Sequence, residues 1–220
     1  FSSGVNSARP ITAISEAPIG VANADIALVA KGTGAVLAQV PDGTAAGGDK
    51  RGTYATDWQR NRNTASNVAS GDGSTISGGS VNTASGDTST VGGGFGNAAS
   101  GIRAVVSGGS SNTASSDYSS ISGGYSNTAQ TNTYATVCGG TGNTASGSRS
   151  FAAGGNNTSS GSYSTAFGGF HNATVSYASV LGGSSSRANS AYGTVIGGCY
   201  GTTRSISGYC VLPSHGAPIA

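Results

Sequence analysis

The sequence predicts an all-β fold, a parallel β-solenoid wound from coils of 14–16 residues. A Gly-Gly pair returns at Gly78, Gly93, Gly108, Gly123, Gly139, Gly154, Gly168, Gly182 and Gly197, spaced by 14–16 residues. Two places before each pair stands a small apolar residue, giving the column Ile76, Val91, Val106, Ile121, Val137, Ala152, Ala166, Val180 and Val195. Leu, Ile, Val and Phe number only 34 of 220 residues, beside 39 Gly, too few for a conventional globular core. Disorder is disfavoured as well, because 10 basic and 8 acidic residues leave a net charge of just +2.

Residues 1–24 read as an N-terminal linker, and residues 25–62 as a small β cap or attachment segment. Ile26 to Val29 and Ala35 to Val40 are short apolar runs around Lys31-Gly32-Thr33-Gly34, followed by the turn signal Pro41-Asp42-Gly43, which suggests a cap or hairpin. A charge-dense stretch follows, with Arg51, Asp57, Arg60 and Arg62 around Tyr54 and Trp58. Arg51, Asp57, Trp58 and Arg60 are candidates for two roles. They could contact an adjoining protein, or they could close the first coil and pair charges between subunits.

The repeat array spans residues 63–201. It opens with a half unit, NVASGDG, and continues through full units such as STISGGSVNTASGDT at residues 74–88. Each unit offers two short extended pieces separated by Gly-rich corners, where positive φ carries no Cβ penalty. The first piece holds the aliphatic column, of which Ile76, Val91, Val106, Ile121, Val137, Val180 and Val195 form the expected solenoid core. The second carries Ala84, Ala99, Ala114, Ala129 and Ala145, preceded by an Asn column at Asn82, Asn97, Asn112, Asn127 and Asn143. Asn157 and Asn172 are expected to extend that column, and Ser186 to break it. Residues 202–220 lose the period and read as a linker or the start of a further domain.

A helical repeat is opposed by the density of Gly, Ser, Thr and Asn, and collagen by the absence of Gly at every third residue. One coil cannot be stable alone, and stacked coils with one or two aliphatic side chains each barely offset the ordering of about 15 residues. Further burial between chains is therefore expected, with small residues permitting close approach.

The composition provides no basic patch for nucleic acid and no apolar run long enough for a membrane helix. The chain begins at Phe1 and contains no Met, which suggests a processed chain or part of a longer one. Cys138, Cys199 and Cys210 fit neither a disulfide framework nor a zinc site, and read as small buried thiols. Within the array the acids are Asp72, Asp87 and Asp117, all at the fourteenth position of their units; they read as solvated corners lacking the partners that glycan hydrolysis requires. His171 and His215 have no triad spacing. Gly93 to Ala98 and Gly139 to Thr144 lack the carboxylate of a calcium-binding β-roll, and no phosphate loop is present. Neither catalytic residues, metal nor cofactor is expected.

The last position of each unit gathers Tyr118, Tyr134, Tyr163, Tyr177 and Tyr192, with Arg103 and Arg149 in the same column. Such a column can fill a groove between subunits or present a stacking surface to glycan. Threonines at the second position, among them Thr75, Thr90 and Thr136, are interrupted by Val105, Ser120, Phe151 and Ser179, which weakens an ice-matching face.

The unit S-x-V-x-G-G-x-x-N-x-A-S-G-x-x resembles the coils of the left-handed parallel β-roll in heads of trimeric autotransporter adhesins. It resembles still more closely the repeat arrays of bacteriophage tail fibres and other virion fibres. The preceding block DIALVAKGTGAVLAQVPDGTAAGGDKRGTYATDWQ, residues 25–59, is similar to the segment that introduces such arrays. The resemblance covers about residues 25–201. It implies a homotrimeric fibre shaft of a virion, extracellular after release, that presents a receptor-binding tip for host attachment. Implied partners are its own copies, an adjoining baseplate, tail or capsid protein, and a host surface glycan or protein. The coiled-coil stalk and membrane anchor of the adhesins and the autocleaving chaperone of many fibres have no counterpart among these residues, so no autoprotease residue carries over. A bacterial adhesin head, or a glycan- or ice-binding solenoid, is the alternative.

Overall fold

The computed structural model describes residues 35–197 continuously, together with the backbone of the strands Ser2–Asn6, Arg9–Ala13, Thr202–Thr203 and Tyr209–Val211. Every regular element among these residues is a strand. The molecule is a parallel β-solenoid, and two sheets run along it. One has 12 strands, from Val36–Leu37 and Thr56–Asp57 through Thr75–Ile76 and its repeats to Tyr209–Val211. The other has nine, from Thr83–Ala84 to Thr202–Thr203. Along the coils between them a third, thinner ladder of single parallel bridges joins Asn61, Ser80, Phe95, Ser110, Tyr125 and Thr141.

Register follows the repeat. Ile76 pairs with Val91, Val91 with Val106, Val106 with Ile121 and Ile121 with Val137, so each inward side chain rests on its equivalent one coil away. The whole aliphatic column from Ile76 to Val195 is fully buried, as are Ala84, Ala99, Ala114, Ala129 and Ala145 on the opposite wall. Residues opening each unit, such as Ser89, Ala104 and Ala135, complete the interior. The apolar core is continuous from Ala55 to Ala152 and resumes as a separate cluster from Ala166 to Val195. It thins there because alanines replace valine and isoleucine in two successive coils, and Ser159 replaces alanine opposite them.

Side-chain amides compensate for the narrow core. Asn112 donates from Nδ2 to the carbonyls of Gly108 and Gly124, each at 3.0 Å, while its Oδ1 accepts the Asn127 amide at 3.0 Å. Equivalent bonds run from Asn82 to Asn157, stitching each coil to the next. Glycine is required where coils touch most closely: a Cβ on Gly86 would collide with the backbone carbonyl of Gly101.

Several expectations are corrected. Asn172 pairs with Thr158 inside the strand, and His171 holds the Asn place instead, its amide donating to Asn157 Oδ1 at 2.9 Å. The coils of Ala152 and Ala166 are each one residue shorter between core residue and amide ladder, as the register shifts into the first and out of the second show, so His171, not Asn172, follows Asn157 in register. Cys138 is exposed, one place beyond the buried Val137, because successive strand residues face opposite sides. Val36–Leu37 and Thr56–Asp57 form parallel rungs, where a hairpin would be antiparallel. Ser2–Asn6 and Arg9–Ala13, within the expected linker, pair antiparallel as a two-stranded ribbon. At the far end Cys210 pairs with Val195, so strand pairing extends into residues 202–220. Ile26 to Val29, Cys199 and His215 lie outside the described residues.

Candidate functional site

Two features stand out on this scaffold: a stacked side-chain ladder along one corner and a charged plug at the N-terminal end. The ladder occupies the last position of each unit. Thr88, Arg103, Tyr118, Tyr134, Arg149, Tyr163, Tyr177 and Tyr192 all adopt φ between 54° and 63°, the left-handed region that disfavours residues with a Cβ. Tyr54, at φ 56°, adopts the same conformation near the N-terminal end. The corner must turn in this way to carry the chain from one wall to the next.

Identical backbone geometry on successive coils brings the side chains face to face. Tyr163 and Tyr177 stack at 5.0 Å between centroids with 2° between planes, Tyr177 and Tyr192 at 4.7 Å, and Tyr118 and Tyr134 at 4.9 Å. Arg149 lies between the two tyrosine groups, 5.3 Å from the ring centroids of both Tyr134 and Tyr163, and Nη1 donates to the Tyr163 hydroxyl at 2.8 Å. Arg103 covers Tyr118 in the same way, at 5.4 Å, and donates to its hydroxyl at 2.7 Å. Seven side chains thus form one continuous stack. Ring faces are used on one another within a single chain, leaving edges and hydroxyls to solvent; the tyrosines remain 40–62% exposed. A sugar platform needs open ring faces, which the interior of this stack does not offer.

The plug begins at Asp57, which pairs with Ile76 and so occupies the position of an aliphatic core residue. It is fully buried. Arg51 Nε donates to Asp57 Oδ2 at 2.8 Å and Arg62 Nη2 to the same oxygen at 3.0 Å, while Oδ1 accepts the Gln59 amide at 3.1 Å. Arg51 also donates to the Gly47 and Asp49 carbonyls, and Arg62 to Gln39 Oε1. Arg51, Arg62 and Asp57 pair within one chain. Carbonyls of the adjoining loop, at Ala46, Gly47 and Asp49, receive the remaining guanidinium donors, and Asp57 draws both guanidiniums inside. Gln59 then starts the amide ladder, accepting from the Asn82 amide at 2.9 Å and donating to the Asn67 and Asn82 carbonyls. Of the four candidates, Arg51 and Asp57 belong to the plug, whereas Trp58 and Arg60 are exposed.

Sequence reasoning missed Gln59 and Arg62 as parts of this plug. Their signal was a polar cluster one coil before the first aliphatic rung.

The remaining titratable groups serve local structure. Asp72 Oδ1 accepts the Thr53 amide at 2.8 Å, Asp87 Oδ1 the Asp72 amide at 3.2 Å and Asp117 Oδ1 the Ile102 amide at 2.9 Å, so each carboxylate ties its corner to the coil before it. Asp42 is held below the usual carboxylate range by the backbone and hydroxyl of Thr44. His171 is fully buried; its Nδ1 accepts the Ser186 amide at 3.2 Å, and burial pushes its pKa down. Among the described residues no group of three or more His, Cys, Asp or Glu is placed to hold a metal ion, and no helix is long and apolar enough to cross a membrane.

Outward positions differ along the rod. The place after the aliphatic column is small or polar in the middle coils, at Ser77, Gly92, Ser107 and Ser122, but bulky and exposed at Trp58 near one end and at Phe167, Leu181 and Ile196 near the other. Compared with known proteins, the chain matches no family model and no curated protein.

Proposed function

We propose that this chain is the shaft of a homotrimeric virion fibre, most simply a bacteriophage tail fibre, that holds a receptor-binding tip away from the particle and has no enzymatic role. The observation that carries this reading is the uninterrupted parallel ladder from Val36–Leu37 to Tyr209–Val211. Twelve rungs at about 4.8 Å make a rod on the order of 50 Å long, in which each coil between the ends covers the strand edges of its neighbours. Stiffness along one axis is what a spacer needs. The exposed apolar positions Phe167, Leu181 and Ile196 supply surface for a second and third copy, in keeping with the burial that a thin core leaves wanting.

On this reading the plug closes the end nearer the N-terminus, and exposed Trp58 and Arg60 face an adjoining tail, baseplate or capsid protein. Localisation would be the virion. Sedimentation of the purified chain should give the mass of three chains, electron microscopy should show rods, and antibody against the chain should label fibres on purified virions. A monomer in sedimentation, or virions without label, overturns the proposal.

A further inference from the structure

The third ladder holds a feature that the tyrosine stack helps to interpret. Phe95, Ser110 and Tyr125 follow one another in register on three successive coils, joined by parallel bridges. Residues at equivalent register positions face the same way, so two rings flank one serine on the same surface. Both rings are exposed, Phe95 at 53% and Tyr125 at 57%. Adjacent rungs of this molecule bring rings to 4.7–5.0 Å in the tyrosine stack. Phe95 and Tyr125 are two rungs apart, roughly 9.5 Å, with only the serine side chain between. That separation is one ring too wide for them to stack on each other, and it admits one further ring at stacking distance from both.

The backbone beneath is fixed. Phe95, Ser110 and Tyr125 each donate to a glycine carbonyl of the next coil at 2.9–3.0 Å, and the carbonyls of Phe95 and Ser110 accept from Ser111 and Ser126. Asn97, Asn112 and Asn127 stitch the same glycines together. With the backbone already ordered, filling the gap costs only the rotamer freedom of the two rings.

We propose that Phe95 and Tyr125 clamp one pyranose ring of a neutral β-linked glucan, seated over Ser110. A pyranose with equatorial hydroxyls has two C–H faces for the two rings and a hydroxyl rim. The Ser110 hydroxyl at the floor, with exposed Ser111 and Ser126 beside it, can hydrogen-bond that rim, whereas an aromatic hydrocarbon would leave these groups unmatched. Residues 92–97, 107–112 and 122–127 contain no charged side chain, which suits a neutral sugar. The site uses one chain and does not rest on the fibre reading.

The test uses the full chain with cellohexaose as probe and benzyl alcohol as comparator, followed by saturation-transfer NMR. Transfer to cellohexaose is expected, with a dissociation constant of about 1 mM, the scale for a single sandwiched ring. Phe95→Ala and Tyr125→Ala should each weaken binding by about tenfold or more, while Tyr163→Ala, in the separate stack, leaves it unchanged. Ser110→Phe, which fills the gap, should abolish binding and raise the melting temperature. Absence of transfer in the parent protein, unchanged binding in both alanine variants at the clamp, or preference for benzyl alcohol over cellohexaose overturns the proposal.

Discussion

Removing Tyr163 tests whether the corner ladder stabilises the rod or merely decorates it. Its ring stacks on Tyr177 at 5.0 Å, lies under Arg149 at 5.3 Å and accepts the Arg149 hydrogen bond, while its backbone sits at φ 58°. Roughly half of the ring is covered, on the order of 100 Å², worth about 2.5 kcal/mol by area. Stacking and cation–π geometry add about 1 kcal/mol beyond area. Tyr163→Ala should therefore cost about 3.5 kcal/mol. Tyr163→Gly removes the same contacts but also releases the left-handed strain of about 1 kcal/mol, so it should cost about 2.5 kcal/mol. Glycine thus outranks alanine here, the reverse of the order in regular structure. Chemical denaturation of the full chain gives the totals. Hydrogen exchange at the Tyr177 amide, which donates to Ser162 O at 2.8 Å, locates the loss. Equal stability of the two variants would refute the strain argument, and parental stability in both would refute any structural role for the ladder.

Three further outcomes follow from the interior. Asp57→Asn leaves two buried guanidiniums without their counter-charge and should cost about 3–5 kcal/mol, with exchange rising at amides near Ile76 and Asn82 but not near Val195; Arg60→Ala, at an exposed position, should leave the melting temperature unchanged. Asn112→Ala orphans the buried Asn127 amide and takes the side-chain donor from the Gly108 carbonyl, while the Gly124 carbonyl keeps the Ser110 amide, and calorimetry should register a loss of about 1–3 kcal/mol. His171 is neutral in the fold because burial lowers its pKa, so the unfolded chain takes up the proton first as pH falls. Its contribution is fully present above the unfolded value of about 6.5 and declines as pH drops from there toward the lower folded value, with a slope of up to about 1.4 kcal/mol per pH unit. His171→Asn should flatten that slope in melting curves recorded between pH 7 and pH 4; an unaltered slope would show that other groups carry it.

The period made most of the fold legible, because a residue repeated at the same place in every coil has a single structural role. Val91 and Ala99 needed no more than counting. What escaped counting lay where the coil length changes: a second coil one residue short, after Phe167, moved His171 into the amide ladder in place of Asn172. Asp57 escaped for a different reason. A carboxylate in an aliphatic column contradicts the hydrophobic pattern, and only the two arginines folded over it make the position tolerable. The shared left-handed conformation of the tyrosine column was also hidden, since Tyr and Arg give no local hint of positive φ; the hint was Gly73, which occupies the same corner one coil before Thr88. Phe95 and Tyr125 were invisible as a pair because they are 30 residues apart and meaningful only when the intervening coil is placed between them.

The amide ladder has a direction. Every asparagine from Asn82 to Asn143 offers its carbonyl oxygen to the amide of the coil that follows it in sequence, and the first such oxygen belongs to Gln59, anchored by the plug. A nascent chain emerging N-terminus first therefore completes the Asp57 plug before any later coil exists, and each finished turn displays a ready acceptor for the next. Assembly of the rod becomes a ratchet: a coil that arrives finds a template waiting. The 14- and 16-residue coils show how the succession absorbs a change of length: the ladder resumes in the next turn wherever an acceptor keeps its place, and everything upstream is already locked in register.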